Sequence, residues 1–323
     1  MRSSILELLR NASGYISGEE IAKKMNVSRT AIWKHIRELK QAGYAIESHS
    51  RSGYSLVKTP DLLLPNEIKS VLKTKRLGKN IKHFDDLVST NIEAKQLAAS
   101  GAEEGTIVVS EAQNGGRGRL SRGWYSPAHK GIWFSIILRP VLLPQDAPKC
   151  TLMAAVAITK AIDKITGIKC GIKWPNDILY NGKKLVGILT EMNAEMEGIN
   201  YIVIGTGINV NIAKDEVPEE LKDIVMSLSQ IAGERIDRLA LLAEMLVQLE
   251  VIYDEALTNG FGKILEEWRK YSITLGQEVN VIGSDKTFAG LAMDIDADGA
   301  LLVKTETEVK RVLAGDVSIR PKI

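Results

Sequence analysis

The sequence predicts a multidomain α+β protein: an N-terminal winged helix-turn-helix, a central mixed β-sheet covered by helices, and a small C-terminal β-barrel. Three observations predict it. A chain of 323 residues is longer than one ordinary domain and can bury sizeable cores. The first 60 residues hold ten Lys/Arg against five Asp/Glu, a net of +5, while the remainder nets −3, so a small basic module precedes a mildly acidic body. The hydrophobic pattern also changes twice along the chain, from short amphipathic helices to alternating strands and helices, and then to short strands separated by tight turns. The boundaries this implies are 1–60, 65–272 and 273–323.

In the first segment, "SILELLRNA" and "SGEEIAKKM" read as amphipathic helices and Asn26-Val27 as a turn. Ser28 is a suitable N-cap for a third helix, "RTAIWKHIRELKQAG", closed by Gly43. Ile32, Ile36 and Leu39 share one face of that helix. The other carries Arg29, Thr30, Lys34 and Arg37, the pattern of a helix anchored by apolar residues while polar ones enter a major groove. Trp33 borders both faces. "AIESHSRSGYSLV" follows as two short strands around a turn with Arg51 and Gly53, a wing. The predicted partner is DNA, contacted by Arg29, Thr30, Lys34, Arg37 and Arg51; a protein-binding helical module with solvated basic residues is the alternative.

"VKTPDLLLPNEIKSVL", with Pro60 and Pro65, reads as the link into the body, with a helix beginning near Asn66. Beyond it, "TIVVSEAQ", "GIWFSIILRP", "KKLVGILTEM" and "INYIVIGTGINVN" read as strands. "NIEAKQLAAS", "TLMAAVAITKAIDKITG", "DRLALLAEMLVQLEVIYDEAL" and "FGKILEEWRKYS" read as helices. From residue 273, "EVNVIG", "TFAGLAMDID", "ALLVKTE" and "VKRVLAGDVSI" are short strands with turns such as Asp298-Gly299.

The composition, 45% hydrophobic and 25% charged, is that of a globular protein without a membrane-length apolar run. "MRSSILELLRNAS" interleaves Glu7 and Arg10 with apolar residues and is no signal peptide, so a cytoplasmic location without a membrane partner is expected. Cys150 and Cys170 fit neither a disulfide framework nor a metal site, and the four histidines have no zinc-like spacing. Both cysteines are expected to be small buried residues.

The stretch "AQNGGRGRLSRGWYSP" carries the most specific chemistry. Gly115, Gly116, Gly118 and Gly123 would let the backbone turn sharply and approach a ligand, while Arg117, Arg119 and Arg122 supply fixed charge and planar forks of donors. That combination suits a phosphate, although neither P-loop nor dinucleotide glycine spacing is present. A mobile surface loop or an RGG-like tether for nucleic acid would look similar. "KWPNDILYNGKKLVGILTE" places Lys173, Asn176 and Asp177 at a turn set by Pro175, and Lys183 and Lys184 at the start of a strand, where a lysine can face a transferring phosphate or simply line a hairpin. "GTGINVN" ends another strand with glycines and asparagines suited to a ring, or to a plain turn. "STNIEAK" offers Ser89, Thr90 and Asn91, but Thr90 and Glu93 also form a capping-box pattern that alone would explain Thr90.

In this order, after a winged helix and before a small barrel, "GGRGRLSRGW", "KWPNDILYNGKKLVGIL" and "GTGINVN" resemble bacterial biotin protein ligases of the bifunctional, operon-repressing type along the whole chain. The arginine and triple-glycine signature of the related lipoate ligases is missing. The resemblance implies a catalytic domain like that of biotin and lipoate ligases, an SH3-like C-terminal barrel, and biotin and ATP as substrates, with Mg²⁺ expected. It also implies transfer of biotin to a biotin carboxyl carrier protein, and a homodimer on operator DNA when the adenylate is bound. By the resemblance Lys184, Arg119 and Arg117 are catalytic. Ser89, Thr90, Asn91, Gln113, Gly116, Arg117, Arg119, Lys184 and Gly187 would meet biotin; Arg119, Arg122, Trp124, Lys173, Asn176, Asp177, Lys184 and Asn209 would meet the nucleotide. No metal ligand can be named. A ligase with a non-repressing winged helix, a lipoate-type acyl ligase and a ligand-sensing transcription factor remain alternatives.

Overall fold

The computed structural model describes residues 1–195, 198–283, 287–315 and 318–321. The chain forms two compact units, Met1–Leu62 and Leu63–Ile323. In the first, α1 (Arg2–Asn11), α2 (Gly18–Met25) and α3 (Arg29–Gln41) precede a hairpin of β1 (Ala45–His49) and β2 (Gly53–Lys58). Side-chain hydroxyls start two of the helices: Ser17 accepts from the Glu20 N–H and Ser28 from the Ala31 N–H, satisfying amides that a helix start leaves open. Asn26 ends α2 in the left-handed conformation. Ile5, Leu6, Leu9, Ile21, Ile32, Ile36 and Leu39 close the core. The hairpin is tied to the α1–α2 connection by reciprocal backbone hydrogen bonds between Ile16 and Tyr54, both 2.9 Å. Gly53 makes that approach possible, since a Cβ there would lie 2.1 Å from the Ile16 carbonyl oxygen.

The second unit begins with α4 (Pro65–Val71), whose proline occupies the first turn, followed by β3 (Ile81–Phe84), α5 (Thr90–Ala99), β4 (Ile107–Ser110) and β5 (Gly131–Leu138). Next come α6 (Ala147–Thr166), β6 (Gly171–Lys173), β7 (Asp177–Tyr180), β8 (Lys183–Glu195) and β9 (Gly198–Asn209). Then follow α7 (Leu228–Ala232), α8 (Arg238–Asn259) and α9 (Gly262–Tyr271). A seven-stranded sheet has the order β3-β4-β5-β9-β8-β7-β6, with β3 and β4 parallel and the other pairs antiparallel. The C-terminal strands β10 (Glu278–Ile282), β11 (Thr287–Ile295), β12 (Leu301–Lys304), β13 (Val309–Val312) and β14 (Ser318–Pro321) form a five-stranded antiparallel sheet in the order β13-β12-β11-β10-β14.

The two faces of the large sheet differ. Ile132, Phe134, Ile136, Val186, Ile188, Ile204 and Ile208 point to one face and join α6, α8 and the apolar side of the C-terminal sheet in the main core. On the other face two smaller clusters form: Ile137 and Val203 under Ala94 and Ala98 of α5, and Trp133 with Ile212 and Val217. Between these clusters the sheet carries glycines and polar residues. Cys150 and Cys170 are buried free thiols, and burial pushes both up to about 12.

Candidate functional site

The strip between the small clusters is set by strand register. Trp133 of β5 is opposite Gly207 of β9, Gly207 opposite Gly187 of β8, Gly187 opposite Asp177 of β7, and Asp177 opposite Lys173 of β6. Alternate residues of a strand share a face, so Ser135 and Gly205 flank this row on one side and Asn209 on the other. A row with two adjacent glycines is a trough in the sheet surface, floored by backbone.

A buried polar network stands at one end of the trough. Ser89 is the N-cap of α5, yet its hydroxyl makes no capping bond, and Thr90 is the first helical residue, so the capping-box explanation of Thr90 fails. Instead Gln113 Oε1 accepts from the Thr90 N–H at 2.9 Å and from its hydroxyl at 3.3 Å, while Gln113 Nε2 donates to Ser126 Oγ at 2.9 Å. Ser135 Oγ lies 2.8 Å from Thr90 Oγ1 and 2.6 Å from Asn91 Oδ1, and Asn91 donates to Glu191, which also holds Lys95. Gly205 is obligatory beneath, since a Cβ there would overlap the Asn91 amide at 1.8 Å. Buried hydroxyl and amide groups held in place are what recognise a polar ring without charge.

At the other end Trp124 lies across the trough. Its indole fills the space above Gly187 and Gly207, where added Cβ atoms would come within 2.7 and 2.2 Å of the ring. The Trp124 Nε1 hydrogen is buried without a partner among the described residues, an orphaned donor. Lys184 Nζ sits 5.0 Å from the centre of that ring and 2.6 Å from Asp177 Oδ1. Backbone bonds to Ile224 and Met226 fix Lys184 at the start of β8, and Asn209 donates to its carbonyl at 3.3 Å. Lys183 turns away to the Lys222 carbonyl.

The glycine- and arginine-rich stretch folds back on itself. Arg117 pairs with Gly123, and Gly118 N donates to the Arg122 carbonyl at 2.8 Å. Its glycines do not serve the sharp turning expected of them. Leu120 and Ser121 take the left-handed conformation, at φ +55° each, while Gly115 and Gly116 are required by close approach, to Val88 and to the Trp124 carbonyl respectively. The Arg119 guanidinium donates to Asn176 Oδ1 at 3.0 Å and to the Ala314 and Gly315 carbonyls, beyond the end of β13, at 2.5 and 2.6 Å; Asn176 in turn donates to the Ile188 carbonyl. Arg117 and Arg122 are exposed and have no side-chain partner among the described residues. Lys173 is half-buried.

Sequence reasoning missed the residues that hold the ends of this stretch. Glu111 and Arg238 are completely buried, 3.0 Å apart, and Arg238 also donates to the Gly131 carbonyl. Glu111 accepts the Leu63 N–H at 2.6 Å, and His129 Nδ1 and His83 Nε2 lie 3.2 and 3.5 Å from its oxygens. Burial alone would raise the Glu111 carboxyl. His83, the Arg238 charge and the Leu63 amide overcome that and hold it at about 2. Through His129 and, by way of Arg238, the Gly131 carbonyl, the Glu111 carboxylate thus ties the two ends of the loop together. An isolated Glu at a strand end and an Arg at a helix start carried no signal that they meet.

In the first unit Arg29, Thr30, Trp33, Lys34 and Arg37 lie exposed on α3, opposite its buried face, and Arg51 is exposed in the hairpin turn. No helix among the described residues is long and apolar enough to cross a membrane.

A helix-turn-helix module joined to a sheet with a glycine trough, a buried polar network at one end and a lysine-arginine end defines a ligase of the biotin and lipoate class that carries its own DNA-binding unit. Residues 84–209 match the Biotin/lipoate A/B protein ligase family, 2–55 an HTH domain and 274–320 the Biotin protein ligase C terminal domain. The chain is 44% identical over 320 residues to the bifunctional ligase/repressor BirA of Bacillus subtilis, covering 99% of this chain and 98% of that protein. It is 32% identical over 235 residues to the biotin--[acetyl-CoA-carboxylase] ligase of Mycobacterium tuberculosis, covering 71% of this chain and 85% of that one. The biotin protein ligase of Aquifex aeolicus in complex with biotin and ATP superposes with a TM-score of 0.66 at 29% identity, over 76% of this chain and 100% of that chain. The chain belongs to the bifunctional biotin protein ligase/repressor family.

Proposed function

We propose that this protein activates biotin with ATP as biotinyl-5′-adenylate, transfers biotin to a lysine of a biotin carrier protein, and binds operator DNA through its first unit. A carboxylate is a poor electrophile, so biotin's carboxylate attacks the α-phosphorus of ATP and pyrophosphate leaves; the carrier lysine then attacks the mixed anhydride and AMP leaves. The single trough that joins the Ser89–Thr90–Asn91–Gln113 network to Lys184 carries this reading. The uncharged ring of biotin suits the buried hydroxyls and amides at one end, and the reacting carboxylate and phosphate suit the cations at the other. Lys184 loses Asp177 as its partner when a phosphate arrives, and Arg119 exchanges Asn176 and backbone carbonyls for the same anion. Gly116, Arg117 and Gly187 line the path of the valeryl chain; Arg122, Trp124, Lys173, Asn176, Asp177 and Asn209 surround the nucleotide. The protein's contribution is positioning and charge stabilisation.

Mg²⁺ enters with the triphosphate. Such an ion takes most of its ligands from phosphate and water. The adenylate orders the loop and with it a homodimer, which places two α3 helices on two half-sites. Incubation with ATP, labelled biotin and a biotin-acceptor domain tests the catalytic half: labelled acceptor and pyrophosphate are expected, and a preference for lipoate would move the assignment to a lipoate-type ligase. Deleting residues 1–60 tests the other half. Operator binding should vanish while biotin transfer persists, and a truncated protein that still shifts operator DNA would remove the first unit from that role.

A further inference from the structure

The exposed face of α3 holds one residue that phosphate binding does not explain. Trp33 is 56% exposed, whereas its helix neighbours Ile32, Ile36 and Leu39 are at most 2% exposed. Single exposed apolar residues are common on protein surfaces and mean little alone. Here the surroundings are specific. Arg29 and Arg37 stand one turn before and one turn after Trp33 on the same stripe, with exposed Thr30 and Lys34 beside it. The Arg37 guanidinium lies 5.8 Å from the centre of the Trp33 ring, so the indole both presents a flat apolar plate and steadies a fork of donors. The acidic residue of α3, Glu38, is turned to His35 at 3.1 Å, which leaves this stripe without a carboxylate. An indole carries no charge to neutralise a phosphate, and the broad face of its ring is apolar. In a major groove the apolar group available to it is the C5 methyl of thymine, and the N-terminal half of a recognition helix, where Trp33 stands, is the part that reaches base edges.

Resting on the reading of the first unit as a DNA-binding module, we propose that Trp33 reads thymine in each half-site through that methyl group. Arg37 is held against the ring and aimed at the adjoining base.

The test uses the full-length protein with biotin and ATP, and a duplex recovered from a randomised library by the wild type. Each thymine is replaced in turn by deoxyuridine, which removes only the methyl. At the contacted thymine the wild type should lose about four-fold in affinity, the value of one buried methyl. Trp33→Ala should bind the thymine duplex about ten-fold more weakly, the cost of one misread base pair, and should no longer distinguish thymine from deoxyuridine there. Trp33→Phe should retain part of the discrimination. Since the side chain is exposed, Trp33→Ala should keep the circular dichroism and biotin transfer of the wild type. Binding by Trp33→Ala within two-fold of wild type, or a deoxyuridine penalty that survives in it, overturns the proposal. Recovery of no preferred duplex by the wild type would instead sink the DNA-binding reading itself, and this inference with it.

Discussion

Two charged pairs flank the same loop, and they are built oppositely. Glu111 and Arg238 have no exposure at all and are packed among fixed neighbours: a backbone amide, a carbonyl and two histidines. Lys184 and Asp177 are about a quarter exposed, each has the other, and the lysine rests on an indole. A fully paired buried charge cannot be approached without losing the partners that make its burial tolerable, so the first pair holds geometry. A half-open pair beside a trough can exchange its partner for a ligand at small cost. Exposure and spare bonding capacity, more than charge, separate a structural anchor from a pair open to a ligand.

Removing one member of each pair sharpens that contrast. Lys184→Ala should slow pyrophosphate release by about two to three decades, the range for losing one preorganised charge, with the thermal unfolding midpoint nearly unchanged. A variant that forms adenylate at the wild-type rate would take Lys184 out of the chemistry. Glu111→Gln should do the reverse in emphasis. It leaves Arg238 buried beside a neutral amide and should lower unfolding stability by about 3 kcal/mol, measured by urea denaturation; a loss below about 1 kcal/mol would show that the clamp carries little.

The two pairs should also part in acid. Glu111 is held at about 2 against an ordinary 4.5. Between those values the unfolded chain binds the proton that the folded protein refuses, so stability rises with pH there. The contribution is complete above pH 4.5 and drains away as pH falls toward 2. Denaturation midpoints of wild type should therefore drop more steeply than those of Glu111→Gln between pH 4.5 and 3, and parallel curves would contradict the assignment.

The smallest effect on rate is expected at the loop. Arg119→Gly should still make adenylate but hold it poorly, because Asn176 and the Gly315 carbonyl lose their donor and the phosphate loses a fork. Labelling of a bystander protein mixed with the variant reads this directly. Protease sensitivity of the loop in empty and adenylate-bound protein gives the second measure, and equal cleavage in both, with no bystander labelling, would argue against a closing lid.

Periodicity made the long elements readable. β5, β8, β9, α6 and α8 each span enough residues to show a face or a continuous apolar run. By contrast β3, β6 and β7 are three or four residues long, and such runs have no period to read. The helix proposed near Asn66 begins at Pro65, as a proline in a first turn allows. The loop was legible as a cluster of glycines and arginines, but the reason for its glycines was not. Which side chain crowds a backbone depends on Val88, Trp124 and the strand register, all distant in sequence. The S/T-x-x-E pattern at Thr90 was a local signal outweighed by Gln113 and Ser135, whose amide and hydroxyl reach that residue from the loop after β4 and from β5.

By itself the sequence determined what local chemistry encodes: the helix cap at Ser28, the basic face of α3, the turn chemistry of the wing, and the order of motifs along the chain. Only the tertiary structure decided which charges would be sealed and which left open. Glu111 and Arg238 are 127 residues apart, and Arg119 reaches a carbonyl 196 residues away. Burial belongs to surfaces assembled from such distant segments, and it sets whether a carboxylate and a cation become an anchor or a site.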